Sequence, residues 1–212
     1  EVARSMLTGP LRVNRVIARP FRGEPGKFVR TAARKDFSVE PPSRTLLDSI
    51  LDGGMETHGV GKLDNIFAGK GFTQCRHAAS NAEGIALIAD AMRRRFDGLL
   101  FANLVDFDML YGHRNDSLGY ARALVEFDEA LPRFLDFLES RRDLFIITAD
   151  HGNDPTTPST DHSREYVPLL VKGPRERGAD LGVRETFADV GQTIAAFLDL
   201  PPLETGQSFL EN

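Results

Sequence analysis

The chain has 212 residues, 26 basic and 31 acidic side chains, and a formal net charge of −5. Apolar residues at 41% and charged residues at 27% exclude a disordered or fibrous chain and supply ample material for a sizeable core. Mild acidity with interspersed charge argues against nucleic acid or an anionic membrane as the main partner, and no apolar run approaches the roughly 18 to 20 residues of a membrane span. Its single cysteine, Cys75, excludes an intramolecular disulfide, and a reducing cytoplasm is the expected location.

Residue 1 is Glu, and Glu1–Leu7 reads as the tail of a helix with none of the features of a secretory signal. The expectation is a chain that begins inside a larger protein. Residues 10–42 are rich in Arg and Pro, with Arg12, Arg15, Arg19, Arg22, Arg30 and Arg34 set among Pro20, Pro25, Pro41 and Pro42. Val13–Ala18 suits one short strand, and Gly23-Glu24-Pro25-Gly26 marks a turn. Ser43 is a plausible N-cap for a helix through Ile50 that stops at Gly53-Gly54.

Beyond this point strands and helices alternate. Thr57–Val60 reads as a strand leading into Gly61-Lys62, and Asn81–Arg95 as a helix with Ile85, Ile88, Ala89 and Met92 on one face. Gly98–Val105 reads as a buried strand, and Leu118–Ser140 as a long amphipathic helix burying Leu124, Phe127, Leu131, Phe134 and Leu138. Asp143–Thr148 and Tyr166–Val171 read as further strands. A last helix, Phe187–Leu198, offers Phe187, Val190, Ile194 and Phe197 to the core. Such alternation predicts an α/β layered domain with a mostly parallel sheet.

In open α/β sheets, ligands collect at the carboxyl ends of the strands. Asp106-Phe107-Asp108 and His113 follow one predicted strand, Asp150-His151-Gly152-Asn153 follows the next, and Asp161-His162 precedes the third. Three of the five histidines thus fall at strand ends, each with an Asp nearby. A lone His after a strand is ordinarily a loop or cap residue, and a lone Asp there an N-cap. Three clusters on one edge instead predict a metal centre. Carboxylate oxygen with imidazole nitrogen suits Mn, Zn or Fe better than Ca or Mg, and five ligands exceed one structural zinc site, which suggests two ions.

The Arg-rich opening segment has two readings, solvated or weakly paired guanidinium groups, or forks for a phosphate. Lys62 is a candidate phosphate-binding lysine, although its glycines form no Walker pattern. His58 and His77 have no clustered partners in the sequence, and Cys75 reads as a structural thiol.

These residues together resemble the bacterial phosphopentomutase family, metal-dependent members of the alkaline phosphatase superfamily. The matching stretches are Arg15-Val-Ile-Ala-Arg-Pro-Phe21, Gly23-Glu-Pro-Gly26, Val60-Gly-Lys-Leu-Asp64 and Asn103-Leu-Val-Asp-Phe-Asp108. They continue through Gly112-His-Arg114, Ile147-Thr-Ala-Asp-His-Gly-Asn-Asp-Pro155, Thr160-Asp-His-Ser-Arg-Glu-Tyr-Val-Pro-Leu-Leu170 and Arg184-Glu-Thr-Phe-Ala-Asp189. The Asp-His-Gly-Asn element is shared across the superfamily, whereas the Arg-Val-Ile-Ala-Arg-Pro and Arg-Glu-Tyr-Val-Pro-Leu-Leu stretches are more specific.

The resemblance implies an alkaline phosphatase-like core over residues 43–212 and, over residues 1–42, the C-terminal part of a smaller α+β cap domain. It implies two Mn2+ ions, with Asp150 and His151 on one and Asp108, His113 and His162 on the other. Arg15, Ile17 and Lys62 match positions that contact a sugar phosphate, and Arg30 is a further candidate. The implied reaction, part of nucleoside catabolism, interconverts ribose (or 2-deoxyribose) 1-phosphate and 5-phosphate through a phosphothreonine and a sugar bisphosphate activator. The family's Thr nucleophile and one more Asp ligand match nothing in this chain. The expectation is therefore a C-terminal fragment, inactive without the N-terminal part of the same protein. A cofactor-independent phosphoglycerate mutase, a phosphatase, or a non-catalytic metal-binding domain are the competing readings.

Overall fold

Short strands between Gly and Pro punctuation shape the first 42 residues. The computed structural model describes residues 1–31, 33, 35–138, 142–174 and 178–210, and of Arg30 only the backbone. Helix α1 (Val2–Met6) leads to two antiparallel pairs. β1 (Arg15–Ala18) pairs with β4 (Lys35–Ser38), placing Arg15 opposite Ser38 and Ile17 opposite Asp36. β2 (Phe21–Arg22) pairs with β3 (Val29–Arg30) across the predicted turn, where Lys27 N–H donates to the Glu24 carbonyl at 2.8 Å. Only the first of these strands is expected from sequence, because two- to four-residue strands hold too few positions to show a period. Arg34 lies outside the described residues. The end of β4 and the residues just after it tie this segment to the core, through a Ser38 hydroxyl bond to the Asn65 carbonyl and a Lys70–Glu40 ion pair at 3.3 Å.

Helix α2 (Leu46–Asp52) is capped by Thr45, not Ser43. Thr45 and Asp48 form a reciprocal capping box, each satisfying the other's backbone N–H, which fixes the start two residues later than expected.

The parallel sheet is β6-β5-β7, with β5 (Glu56–Val60) between β6 (Gln74–Arg76) and β7 (Gly98–Ala102). Short helix α3 (Leu63–Ile66) follows β5, and α4 (Asn81–Met92) packs on β5 and β7. Helix α5 (Ser117–Phe137) packs on α4, starting at Asp116, whose carboxylate accepts from Gly119 N–H at 2.8 Å. Val60, Ile88, Ala89 and Phe134 form the buried centre, with Ile85, Met92, Leu100, Phe127, Leu131 and Phe145 packed around them.

Several boundaries move. α4 ends at Met92, before Arg93-Arg94-Arg95, and the residues after Ala102 leave the sheet to form the site loops. α5 ends at Phe137, with the expected end at Ser140 outside the described residues. Its inward stripe runs through Ala123, Phe127, Leu131 and Phe134, while Leu124 is 52% exposed. Phe187 is also exposed, just before α6 (Ala188–Phe197), whose buried positions are Asp189, Thr193 and Ala195. The remaining strands, β8 (Phe145–Ile147) and β9 (Leu170–Lys172), form a separate antiparallel pair. Their register sets Ile147 opposite Leu170, so the segment between them leaves and re-enters at one edge. Among the described residues, no ladder joins β7 to β8.

Candidate metal centre

The end of β7 is tied down before it delivers its ligands. Asn81 N–H donates to the buried Asp106 carboxylate at 2.6 Å, and Asp106 N–H donates back to Asn81 Oδ1 at 2.9 Å. This reciprocal pair fixes the chain leaving β7 against the start of α4. Phe107–Tyr111 then makes a π-helical turn that carries Asp108, and Gly112–Arg114 a 3₁₀ turn that carries His113. Wide turns of this kind recur where a chain must aim side chains into a site. Asn115, in the left-handed conformation, closes the element, and Asp116 opens α5.

The other ligands come from the excursion between β8 and β9. An isolated antiparallel bridge joins Gly152 to Ser163, with Ser163 N–H donating to the Gly152 carbonyl at 3.2 Å. The neighbours of these two residues are His151 and His162. Their rings stack at 3.8 Å between centroids and 20° between planes. His162 also stacks against His113 at 4.9 Å.

Four of the five expected ligands meet at one locus. Asp108, His151 and His162 each offer a donor atom within 4.8 Å of the others. Asp108 Oδ1 lies 3.2 Å from His162 Nε2 and 3.4 Å from His113 Nε2. Asp150 stands on the same loop, its Oδ1 3.7 Å from His151 Nε2, and is mostly exposed. His151 therefore reaches both Asp150 and the Asp108 group.

The hydrogen-bond pattern fits a cation. His113 Nδ1 donates to the Thr160 carbonyl at 2.5 Å and His151 Nδ1 to the Gly152 carbonyl at 3.2 Å. A carbonyl can only accept, so each of these Nδ1 atoms carries a hydrogen, and Nε2 is the ring atom turned toward the carboxylates. A lone pair on Nε2 would repel the carboxylate it faces, so positive charge belongs between the two. Protonating every ring would set like charges face to face at stacking distance. A divalent ion satisfies the carboxylate and the imidazoles together, and the carbonyl contacts are the outer bonds that orient metal-binding histidines.

Lys62 Nζ lies 3.0 Å from the Met109 sulfur, which places the amine beside the residue following Asp108. Arg15 and Ile17 lie on β1, which ladders with β4, and Arg15 faces Asp36 at 3.4 Å. The side chain of Arg30 is outside the described residues. His58 and His77 do have partners, contrary to the sequence reading. His58 Nε2 meets Glu56 at 2.6 Å and stacks on Phe96, and His77 Nε2 meets Asp64 at 2.8 Å. Both pairs are local to β5, β6 and α3. Sequence reasoning missed Asn153, whose Nδ2 donates to Asp108 Oδ1 at 2.9 Å, and the carbonyl of Thr160. Asn153 sits inside the recognised Asp-His-Gly-Asn stretch, so its position was visible even though its partner was not.

A family model described as the metalloenzyme superfamily matches residues 25–202. The chain is 54% identical over 211 residues to phosphopentomutase from Caldanaerobacter subterraneus subsp. tengcongensis, covering 99% of this chain and 53% of that protein. It is 56% identical to the Dictyoglomus turgidum phosphopentomutase, with the same two shares covered. Against Anaeromyxobacter dehalogenans phosphopentomutase it is 57% identical over 201 residues, 95% of this chain and 51% of the relative. The chain thus spans about half the length of the curated relatives it matches. Among solved structures, Leishmania mexicana phosphoglycerate mutase aligns with a TM-score of 0.58 at 18% identity, over 77% of this chain and 38% of that one. The PH0037 protein from Pyrococcus horikoshii aligns at 0.52 and 15% identity, over 72% and 47%. These two likenesses show the fold.

Proposed function

The chain belongs to the metalloenzyme superfamily, and from that premise we propose that it forms the metal-binding part of a phosphopentomutase. The protein it serves interconverts ribose (or 2-deoxyribose) 1-phosphate and 5-phosphate. The carrying observation is the convergence of Asp108, His113, His151 and His162 from two separate loops, in a chain 51–57% identical to phosphopentomutases. On this reading Asp108, His113 and His162 hold one manganese, and Asp150 and His151 the other. The bound pair supplies positive charge to a phosphoryl group in transit and to the oxygens it leaves and joins.

The chain's own residues prepare that site. The Thr160 and Gly152 carbonyls hold two imidazoles in the ligating tautomer. Lys62 stands beside the Asp108 turn, where its amine meets a phosphate as a point charge. Arg15, Ile17 and Arg30, from the cap segment 1–42, complete the sugar-phosphate contacts over the 43–212 core. The Thr nucleophile and the remaining Asp ligand come from the part of the longer protein that this chain does not match. On this reading that part docks between β7 and β8, each of which is an edge strand among the described residues. A strand joining them completes one sheet. The setting is cytoplasmic nucleoside catabolism, with a sugar bisphosphate as activator.

The test is an assay of the full-length protein, loaded with manganese, against ribose 5-phosphate and 3-phosphoglycerate. Ribose 1-phosphate should form and 2-phosphoglycerate should not, while the 212-residue chain alone shows no turnover. His162→Ala in the full-length protein should lower bound manganese and reduce turnover by about a hundredfold or more. Preference for phosphoglycerate, or unchanged manganese in the variant, refutes the assignment.

A further inference from the structure

We infer that Asn153 is a positioning residue for Asp108 and that Gly112 exists to seat it, an inference that rests on the metal-centre reading above. Asn153 follows β8 and Asp108 follows β7, so their 2.9 Å hydrogen bond connects the two ligand loops. The accepting atom, Oδ1, is the same oxygen that faces His162 and His113. One direction around that oxygen is thereby taken by an amide, and the carboxylate cannot rotate without breaking the bond. A carboxamide is suited to this, since its Nδ2 donates to the carboxylate without adding charge to the site.

Gly112 supplies the second half of the argument. Its backbone is ordinary right-handed helix, φ −60° and ψ −59°, which any residue adopts. Conformation therefore gives no reason for glycine here. Space does: a Cβ at 112 would lie 2.5 Å from Asn153 Oδ1 and closer still to the carboxamide carbon and nitrogen. The carboxamide occupies the space that a Cβ at 112 would fill, and its Nδ2 is bonded to Asp108. Such contact fixes the side-chain torsions, the condition for an outer residue to hold a ligand in place.

The two residues should then behave as one device. In the 212-residue chain, Asn153→Ala is expected to weaken Mn2+ binding about 10- to 100-fold by calorimetric titration. Gly112→Ala, which keeps the amide but displaces it, should give a loss of similar size, and the double variant should be no worse than Asn153→Ala alone. Without metal, long-range 1H–15N spectra of the imidazoles should shift for His113 and His162 in each variant, while far-UV circular dichroism stays unchanged. Wild-type affinity together with wild-type imidazole signals in Asn153→Ala overturns the proposal, as do strictly additive losses. If the unsubstituted chain takes up no Mn2+, the imidazole spectra alone decide the question, and that failure falls on the metal reading.

Discussion

Two kinds of side chain carry the chemistry of this chain, those whose role follows from residue type and those whose role follows from where a neighbour ends up. Asp108, His113, His151 and His162 are of the first kind, because Asp and His at strand ends are unusual enough to be noticed in the sequence. Asn153 and the Thr160 carbonyl are of the second, since a carboxamide or a backbone oxygen becomes a support only once the loops have met. Leu124 shows the same limit in the core: helical spacing puts it with Phe127 and Phe134, yet the stripe is turned by one residue and leaves it exposed. Cys75, a structural thiol on the sequence reading, sits in an environment that makes a prediction. Partial burial, helped by the nearby Asp64 charge, pushes its pKa up against the opposing pull of hydrogen bonds from the Asp64 and Leu63 backbone. The fold thus favours the neutral thiol, so this contribution to stability is complete below the ordinary thiol pKa and fades as pH climbs through the raised one. Alkylation by iodoacetamide near pH 8 should be slower in the folded chain than in urea, with its rate profile displaced to higher pH. Equal rates in the two states would disprove it.

At the level of elements, the long helices were legible because each carries two or more turns of apolar repeat, and their ends were less so because capping is decided by single contacts. Thr45 displaces Ser43 through one reciprocal pair with Asp48. The direction of β9 was not legible at all, since an antiparallel return and a parallel crossover can share the same apolar triplet. That return is what gives the site its shape, and the Gly152–Ser163 bridge is its tightest point. A Cβ on Gly152 would come within 3.0 Å of the Glu165 carbonyl and closer to Ser163 and to Glu165 N–H, all of them backbone atoms unable to swing aside. Gly152→Ala should therefore pry the two arms apart and separate His151 from His162. Mn2+ affinity is expected to fall about 10- to 100-fold by titration, while the helical circular dichroism signal is retained. Wild-type affinity in this variant would show that the bridge does not set the spacing.

Over the whole molecule, the alternating α/β order was legible from the sequence, and the division of its strands into separate ladders was not. Hydrophobic patterning says that a strand is buried without naming the neighbour on either side. The edges of β7 and β8 that go unpaired among the described residues therefore appear only in three dimensions. The antiparallel return also determines how the polypeptide responds to a break. Residues 155–158, Pro-Thr-Thr-Pro, lie at the far end of the excursion, and both the β8–β9 ladder and the Gly152–Ser163 bridge span the gap on its inner side. A protease site engineered there should yield two pieces that co-elute on size exclusion, hold His151 and His162 together, and part only in denaturant. Separation under native buffer would contradict this. On this geometry covalent continuity at that point is expected to be dispensable, with the shorter C-terminal piece complementing the longer N-terminal one.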